Sequence, residues 1–342
     1  MSDRAPNARL MRRLGLVAGT REGLAITRRR RGEGWSFHAA SGRRITAPAV
    51  IDRLNALAMP PAYADVRYAA DPRAHLQAVG IDADGRPQYR YHPEWVAVRE
   101  GAKARRLARI AAALPRIRRA LKRDLQSPGV PKLVALAACV DLIARTAIRA
   151  GGERSEAERG HRGAATLLKR NVEIKGGSIR LAFRGKGGKD IERCAIAPRL
   201  CSALRRLMAL PGRHLFQYRR ADETVARLRA GDVNAYLKDI AGSSISLKDF
   251  RTLLGSSLVA GHLAAEDPSP SAAGRKRQIK AAVTLAAEEL ANTPAIARKS
   301  YVHGAVVEAF ETGRLQRIAK RRPAIRSDTA RVELLAAVIR SG

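Results

Sequence analysis

Residues 132–150, KLVALAACVDLIARTAIRA, are apolar on several faces of the helix that their spacing predicts. Such a helix has to be wrapped by other elements, because any side turned to water would expose Leu, Ile or Val. Gly151-Gly152 follows and is expected to end it. A chain of 342 residues can supply that shell and, at roughly 150 residues per domain, a second domain besides. Its 46% hydrophobic content and mean hydropathy of -0.25 fit a globular chain rather than a disordered one. No apolar run reaches the roughly 18 residues of a membrane span, and the opening residues carry no signal-peptide core, so a cytoplasmic location is expected.

The two ends of the chain differ in texture. Up to residue 92, glycine and proline punctuate short pieces. RRGEGWSFHAASGRRIT predicts two strands around a Ser41-Gly42 turn, and AVIDRLNALAMPP predicts a helix with Val50, Ile51, Leu54 and Leu57 on one face, stopped by Pro60-Pro61. Residues 63–91 predict further strands about turns such as Asp84-Gly85. From Pro93 the period becomes helical. Leu107, Ile110, Ala111, Leu114 and Ile117 share a face with arginines between them, and Pro115 is expected to kink or divide that helix. VEIKGGSIRLAFRGKGGKDIERCAI alternates as strands do around Gly176-Gly177 and Gly187-Gly188, and after Pro198 helices are expected to the C-terminus. Residues 264–280, AAEDPSPSAAGRKRQIK, are expected to form a surface loop or a mobile basic segment. The predicted class is α+β, with a small β-rich domain over 1–92 and a mainly helical domain with a β-hairpin over 93–342.

Charge points to the partner. The excess of 65 Lys and Arg over 31 Asp and Glu leaves a net +34, which repels itself unless a polyanion neutralises it. Nucleic acid is the expected partner; an anionic membrane fits less well, since the basic residues are spread along the chain without an amphipathic anchor. Arginine dominates, 52 against 13 lysines, and its planar fork suits phosphate.

Metal and nucleotide chemistry find no foothold. The seven histidines are scattered, and there is no HExxH, no calcium loop and no GxxxxGK[ST]. The glycines at 187–188 make a turn rather than a phosphate loop, because no helix opened by Ser or Thr follows. Cys139, Cys194 and Cys201 form neither a CxxC pair nor a disulfide framework. No metal and no small-molecule cofactor is expected. Phosphodiester chemistry would then need a side-chain nucleophile, an acid for the leaving oxygen and cations around the phosphorus. Two arginines, a lysine in a glycine hairpin, an amide and a tyrosine could supply these.

At this point the chain resembles the bacterial type IB DNA topoisomerases related to the poxvirus enzymes. The resemblance runs through MPPAYADV (59–66), HLQAVGIDADGRPQYRYHPEW (75–95) and AALPRIRRALKRDL (112–125), then IRAGGE (148–153), FRGKGGK (183–189), KDFRT (248–252) and ARKSYVH (297–303). Each string alone is weak; their order is what carries the resemblance. It implies that Arg149 and Arg251 are the two catalytic arginines, Lys186 the hairpin lysine, Tyr301 the nucleophile, and Asn292 the residue found in this family as histidine or asparagine. It also implies a monomer that clamps double-stranded DNA, associates with the nucleoid and relaxes supercoils through a 3′-phosphotyrosyl intermediate without ATP or metal. Three places depart from the family pattern: RAGGE lacks an asparagine before the glutamate, YVHG lacks a proline after the histidine, and SEAERGHRG (155–163) is an unusual version of its segment.

Alternatives remain for each residue and for the whole. Tyr301 could be a packed tyrosine, Asn292 a helix terminator, Arg149 a cation at a helix end and Arg251 a plain phosphate contact. Lys189 competes with Lys186 in the same hairpin. A tyrosine recombinase shares the catalytic residues but usually has histidine three residues before the second arginine, where this chain has Lys248. A non-catalytic basic DNA-binding protein would need only the charge.

Overall fold

Short strands early in the chain and apolar-striped helices after them build separate cores. The computed structural model describes residues 4–322, 325 and 327–341. It falls into two units, residues 2–102 and 103–342, with the division inside a helix.

The first unit contains α1 (Arg4–Arg13), β1 (Ile26–Arg31), β2 (Gly34–His38), α2 (Pro48–Ala56), β3 (Ala64–Tyr68), β4 (Leu76–Ile81) and β5 (Pro87–Tyr91). The strands form one antiparallel sheet in the order β2-β1-β3-β4-β5. Its inward residues Ile26, Phe37, Val66, Tyr68 and Ala78 pack with Leu54 of α2 and with Met59. The first hairpin turns at Gly32-Glu33, with Arg31 opposite Gly34, one turn earlier than expected. Gly32 takes φ 57, the left-handed conformation such a two-residue turn requires. Ser41-Gly42 makes a later turn that returns Arg44 to His38. The arginine run of β1 concealed the strand. Arg28 is nevertheless partly buried, donating to the Met59 and Pro60 carbonyls at 2.8 and 2.6 Å and lying 3.9 Å over the Trp35 ring.

The helix α3 (Trp95–Asp124) runs unbroken for 30 residues through Pro115. Proline inside a helix costs about 3 kcal/mol. Burial of Leu107, Ile110, Ile117 and Leu121 stabilises by about 1.5–3 kcal/mol each, so the apolar face overrides the break. Next come α4 (Lys132–Thr146), α5 (Glu153–Arg159), the antiparallel sheet of β6 (Val172–Lys175), β7 (Ser178–Arg184) and β8 (Asp190–Ile196), and α6 (Pro198–Met208). A small ladder of β9 (Gln217–Arg219) and β10 (Val225–Arg227) interrupts the expected all-helical tail; three-residue strands are too short to show a period. The tail continues as α7 (Ala230–Ala241), α8 (Leu247–Ala264), α9 (Ala272–Glu289), α10 (Pro294–Ser300), α11 (Gly304–Glu311), α12 (Arg314–Lys320) and α13 (Asp328–Arg340).

α4 is the axis of this unit. Its residues from Val134 to Ile143 are buried, and α6, α7, α8 and β9 pack around it. It stops at Thr146, before the glycine pair, because Ala147 turns left-handed at φ 47, ψ 24. That conformation costs a non-glycine residue about 1–2 kcal/mol. Its carbonyl thereby meets a buried arginine of α8, which offsets the cost. Residues 264–280 also differ from expectation. Only 265–271 form a loop; Ser271 Oγ accepts from the Gly274 amide at 3.0 Å and opens α9, so RKRQIK is helical.

Candidate active site

Past α4 the chain comes back through Gly163, which is extended, into a short 3-10 turn over Ala164–Thr166. The Ala164 and Ala165 amides donate to the Arg149 and Ala150 carbonyls, each at 2.8 Å. The two backbones cross so closely that a Cβ on Gly163 would stand 2.4 Å from the Gly151 nitrogen, which makes this glycine pair obligatory. The crossing fixes Arg149, whose Nη2 donates to Asn292 Oδ1 at 2.7 Å. Gly152, the departure in RAGGE, is the N-cap of α5. Glycine there costs only a few tenths of a kcal/mol relative to a capping side chain. Gly304, the departure in YVHG, is likewise the first residue of α11, where His303 Nδ1 caps the Ala305 amide at 3.1 Å.

Arg251 lies in the second turn of α8, 4% exposed. One of its nitrogens donates to the Ala147 carbonyl and another to the Leu290 carbonyl at 2.7 Å. Its Nε is buried without a hydrogen-bond partner among the described residues. The guanidinium carbon sits 4.9 Å from the ring centre of Tyr301. Thr293 caps α10 through the Ile296 amide, with Pro294 at the first position. Tyr301 comes immediately after the last helical residue, its carbonyl held by Ser256 Oγ at 2.9 Å. Asn292 occupies the break between α9 and α10, where its Nδ2 donates to the Leu290 carbonyl at 3.0 Å.

The electrostatics follow from these positions. Tyr301 is 8% exposed, packed with Ala147, Leu290 and Leu254. Burial alone would push its phenol up, but Arg251, Arg149 and Lys248 together outweigh burial and hold it below the ordinary value. Burial pushes the Arg251 guanidinium down, while Tyr301 draws it back up. Four of the five predicted residues are therefore joined: Arg149 to Asn292, Arg251 to Tyr301, and the pairs to each other through the Leu290 carbonyl. Lys186 is not among them. It is exposed at the tip of the β7–β8 hairpin, where Gly187 and Gly188 take φ 77 and 73, and among the described residues no hydrogen bond or ion pair joins it to the other four.

Sequence reasoning missed two arginines. Arg162 and Arg193 line a cavity of about 10 Å³ together with Arg149 and Arg251. Arg193 had a legible signal, since it shares the inward face of β8 with Ile191, a position where alternation calls for an apolar residue. A much larger cavity, about 760 Å³ between α3, α4, α8 and α13, contains none of the five residues and is set aside as a site for this chemistry. Among the described residues no three His, Cys, Asp or Glu side chains converge, and no helix is long and apolar enough to cross a membrane.

Arg162 is held by Glu156 of α5, in the segment 155–163 that is an unusual version of its kind. The carboxylate accepts from Arg162 Nη1 at 2.6 Å, lies 3.2 Å from His214 Nε2 and is paired with Arg227. Burial alone would raise its pKa, but the bonds from Arg227, Arg162 and His214 hold it down at about 2. A carboxyl depressed on folding stabilises above its unfolded value of about 4.3, and that contribution fades as pH falls through the folded value. Glu156→Gln is expected to lower stability by about 2 kcal/mol at neutral pH, after allowance for solvent screening, with the difference shrinking from pH 5 towards pH 2. Urea unfolding of both proteins across that range checks it; a constant difference would mean that ionisation plays no part.

Residues 95–328 match the catalytic core of eukaryotic DNA topoisomerase I, and residues 34–82 match the N-terminal domain of bacterial DNA topoisomerase IB. The DNA topoisomerase 1B of Acanthamoeba polyphaga mimivirus is 29% identical over 293 residues, covering 84% of this chain and 87% of the viral one. Among solved structures, the XerH site-specific recombinase bound to its difH substrate superposes with a TM-score of 0.36 at 15% identity, over 61% of this chain and 52% of the recombinase.

Proposed function

The chain belongs to the type IB DNA topoisomerase family, and from that premise we propose that Tyr301 is the nucleophile that opens one strand of duplex DNA. The observation that carries this assignment is the buried guanidinium of Arg251 against the Tyr301 ring, with the Arg149–Asn292 pair beside it.

The cations favour the phenolate, whose oxygen attacks the phosphorus. A bond forms between that oxygen and phosphorus as the bond to the 5′-oxygen breaks, leaving a 3′-phosphotyrosyl link. Charge building on the non-bridging oxygens meets Arg149, the unpaired Nε of Arg251, and the amide of Asn292. The 5′-oxygen leaves as a hydroxyl with a proton from Lys186, brought in on its glycine hairpin. The downstream duplex rotates, and the hydroxyl attacks phosphorus again, returning the proton and freeing Tyr301. The covalent link keeps the phosphodiester energy, so the cycle needs no nucleotide, and guanidinium groups take the charge that a metal would otherwise balance. The protein acts as a monomer on double-stranded DNA, needs no cofactor, and works in the cytoplasm at the nucleoid.

Purified protein is expected to relax both positively and negatively supercoiled plasmid in chelator without ATP, and less readily as salt rises, because each phosphate contact contributes about 0.9 to the log-log slope. Gel mobility of the topoisomers reads the outcome. A strict magnesium requirement for cleavage overturns the metal-free mechanism.

A further inference from the structure

Arg193 leaves the inward face of β8 to meet the end of a helix. Its Nη1 donates to the Glu192 carbonyl at 2.6 Å, and its Nη2 donates to the Glu288 carbonyl at 3.3 Å and to that of Glu289. These last two are terminal carbonyls of α9, at the negative end of the helix dipole, and the Glu288 carbonyl also takes the Ala291 amide at 3.0 Å. The next carbonyl, Leu290, takes Arg251 and Asn292. Three successive carbonyls are thus gripped from two sides, by β8 and by α8. The same arginine lines the small cavity with Arg149 and Arg251, a placement that like-charge repulsion opposes.

We propose that Arg193 is a positioning residue that fastens the hairpin carrying the proton donor to the loop carrying Asn292. The inference rests on the active-site assignment above. β7 and β8 pair continuously from Ser178 opposite Ile196 to Arg184 opposite Asp190, so the ladder is stiff between Arg193 and the tip. Only three residue steps, about 10 Å of strand, lie between Arg193 and the end of that ladder at Asp190. A strand released at Arg193 carries Lys186 with it.

The experiment compares single-turnover cleavage of ordinary DNA with cleavage of DNA whose bridging 5′-oxygen is replaced by sulfur, which needs no proton to leave. Arg193→Ala is expected to bind DNA normally, to cleave the ordinary substrate roughly 10- to 100-fold more slowly, and to cleave the sulfur substrate at nearly the unsubstituted rate. Arg193→Lys, which keeps a charge and can still reach one carbonyl, is expected to recover part of the ordinary rate. Slow cleavage of both substrates overturns the proposal by placing Arg193 on the phosphate or on Asn292. Normal cleavage of both overturns it by making the contacts structural only. Lys186→Ala and Lys189→Ala run in parallel separate the two assignments: sulfur rescue of Arg193→Ala and Lys189→Ala without rescue of Lys186→Ala removes Lys186 as the donor and leaves the role of Arg193 standing.

Discussion

Tyr301→Phe is expected to bind duplex DNA as the unsubstituted protein does and to form no covalent adduct. The substitution deletes one oxygen, while the ring keeps its packing with Ala147, Leu290 and Leu254 and its place beside Arg251. A denaturing gel of protein mixed with end-labelled DNA reads the adduct directly; a surviving adduct identifies another nucleophile. In the unsubstituted protein the cleavage rate is expected to rise with pH and level off below the ordinary phenol value of about 10, because the surrounding cations hold the Tyr301 phenol down. Single-turnover rates in which the phenol limb levels off only above that value contradict the assignment of those cations.

Lys186→Ala is expected to slow cleavage of ordinary DNA by roughly 10²- to 10⁴-fold, the usual worth of a positioned general acid, and to restore it on the sulfur-bridged substrate. Arg251→Ala is expected to stay slow on both, because its proposed task is to balance charge on the phosphorus oxygens. Removing it also strips the Ala147 carbonyl of its donor and leaves the Leu290 carbonyl with Asn292 alone, so thermal unfolding measured alongside separates a lost site from a lost fold. Rescue of Lys189→Ala in place of Lys186→Ala moves the donor three residues along the hairpin and leaves the rest of the mechanism intact.

Much of this arrangement was legible before any coordinates. The ordered strings around Arg149, Lys186, Arg251 and Tyr301 point to the candidate residues, and the apolar run at 132–150 points to the axis of the core. Where the reading failed, a local signal met a stronger tertiary one. Ala147 ends α4 because its carbonyl has a buried donor 104 residues away, which no window of sequence contains. Pro115 does not break α3 because the apolar face on both sides of it is buried. β9 and β10 are too short for alternation to show, and the arginines of β1 disguise a strand whose charged side chains find carbonyl and aromatic partners. The joining of Arg149 to Asn292 was likewise invisible, since each residue alone is equally at home capping or ending a helix.

Arg251 is tied to two backbone segments before any DNA arrives, and this bears on how long a broken strand persists. A guanidinium fixed in that way need not rearrange for the forward step or for the reverse one. On the proposed mechanism, its stabilisation of the shared transition state lowers both barriers by the same amount. The balance between intact and cleaved strands is then left where the two bound states set it, while this arginine shortens the waiting time in each state alike. The number of superhelical turns released per opening becomes a race between the torque of the duplex and the lifetime of the phosphotyrosine, so highly wound DNA sheds many turns in one opening and relaxed DNA is resealed almost unchanged.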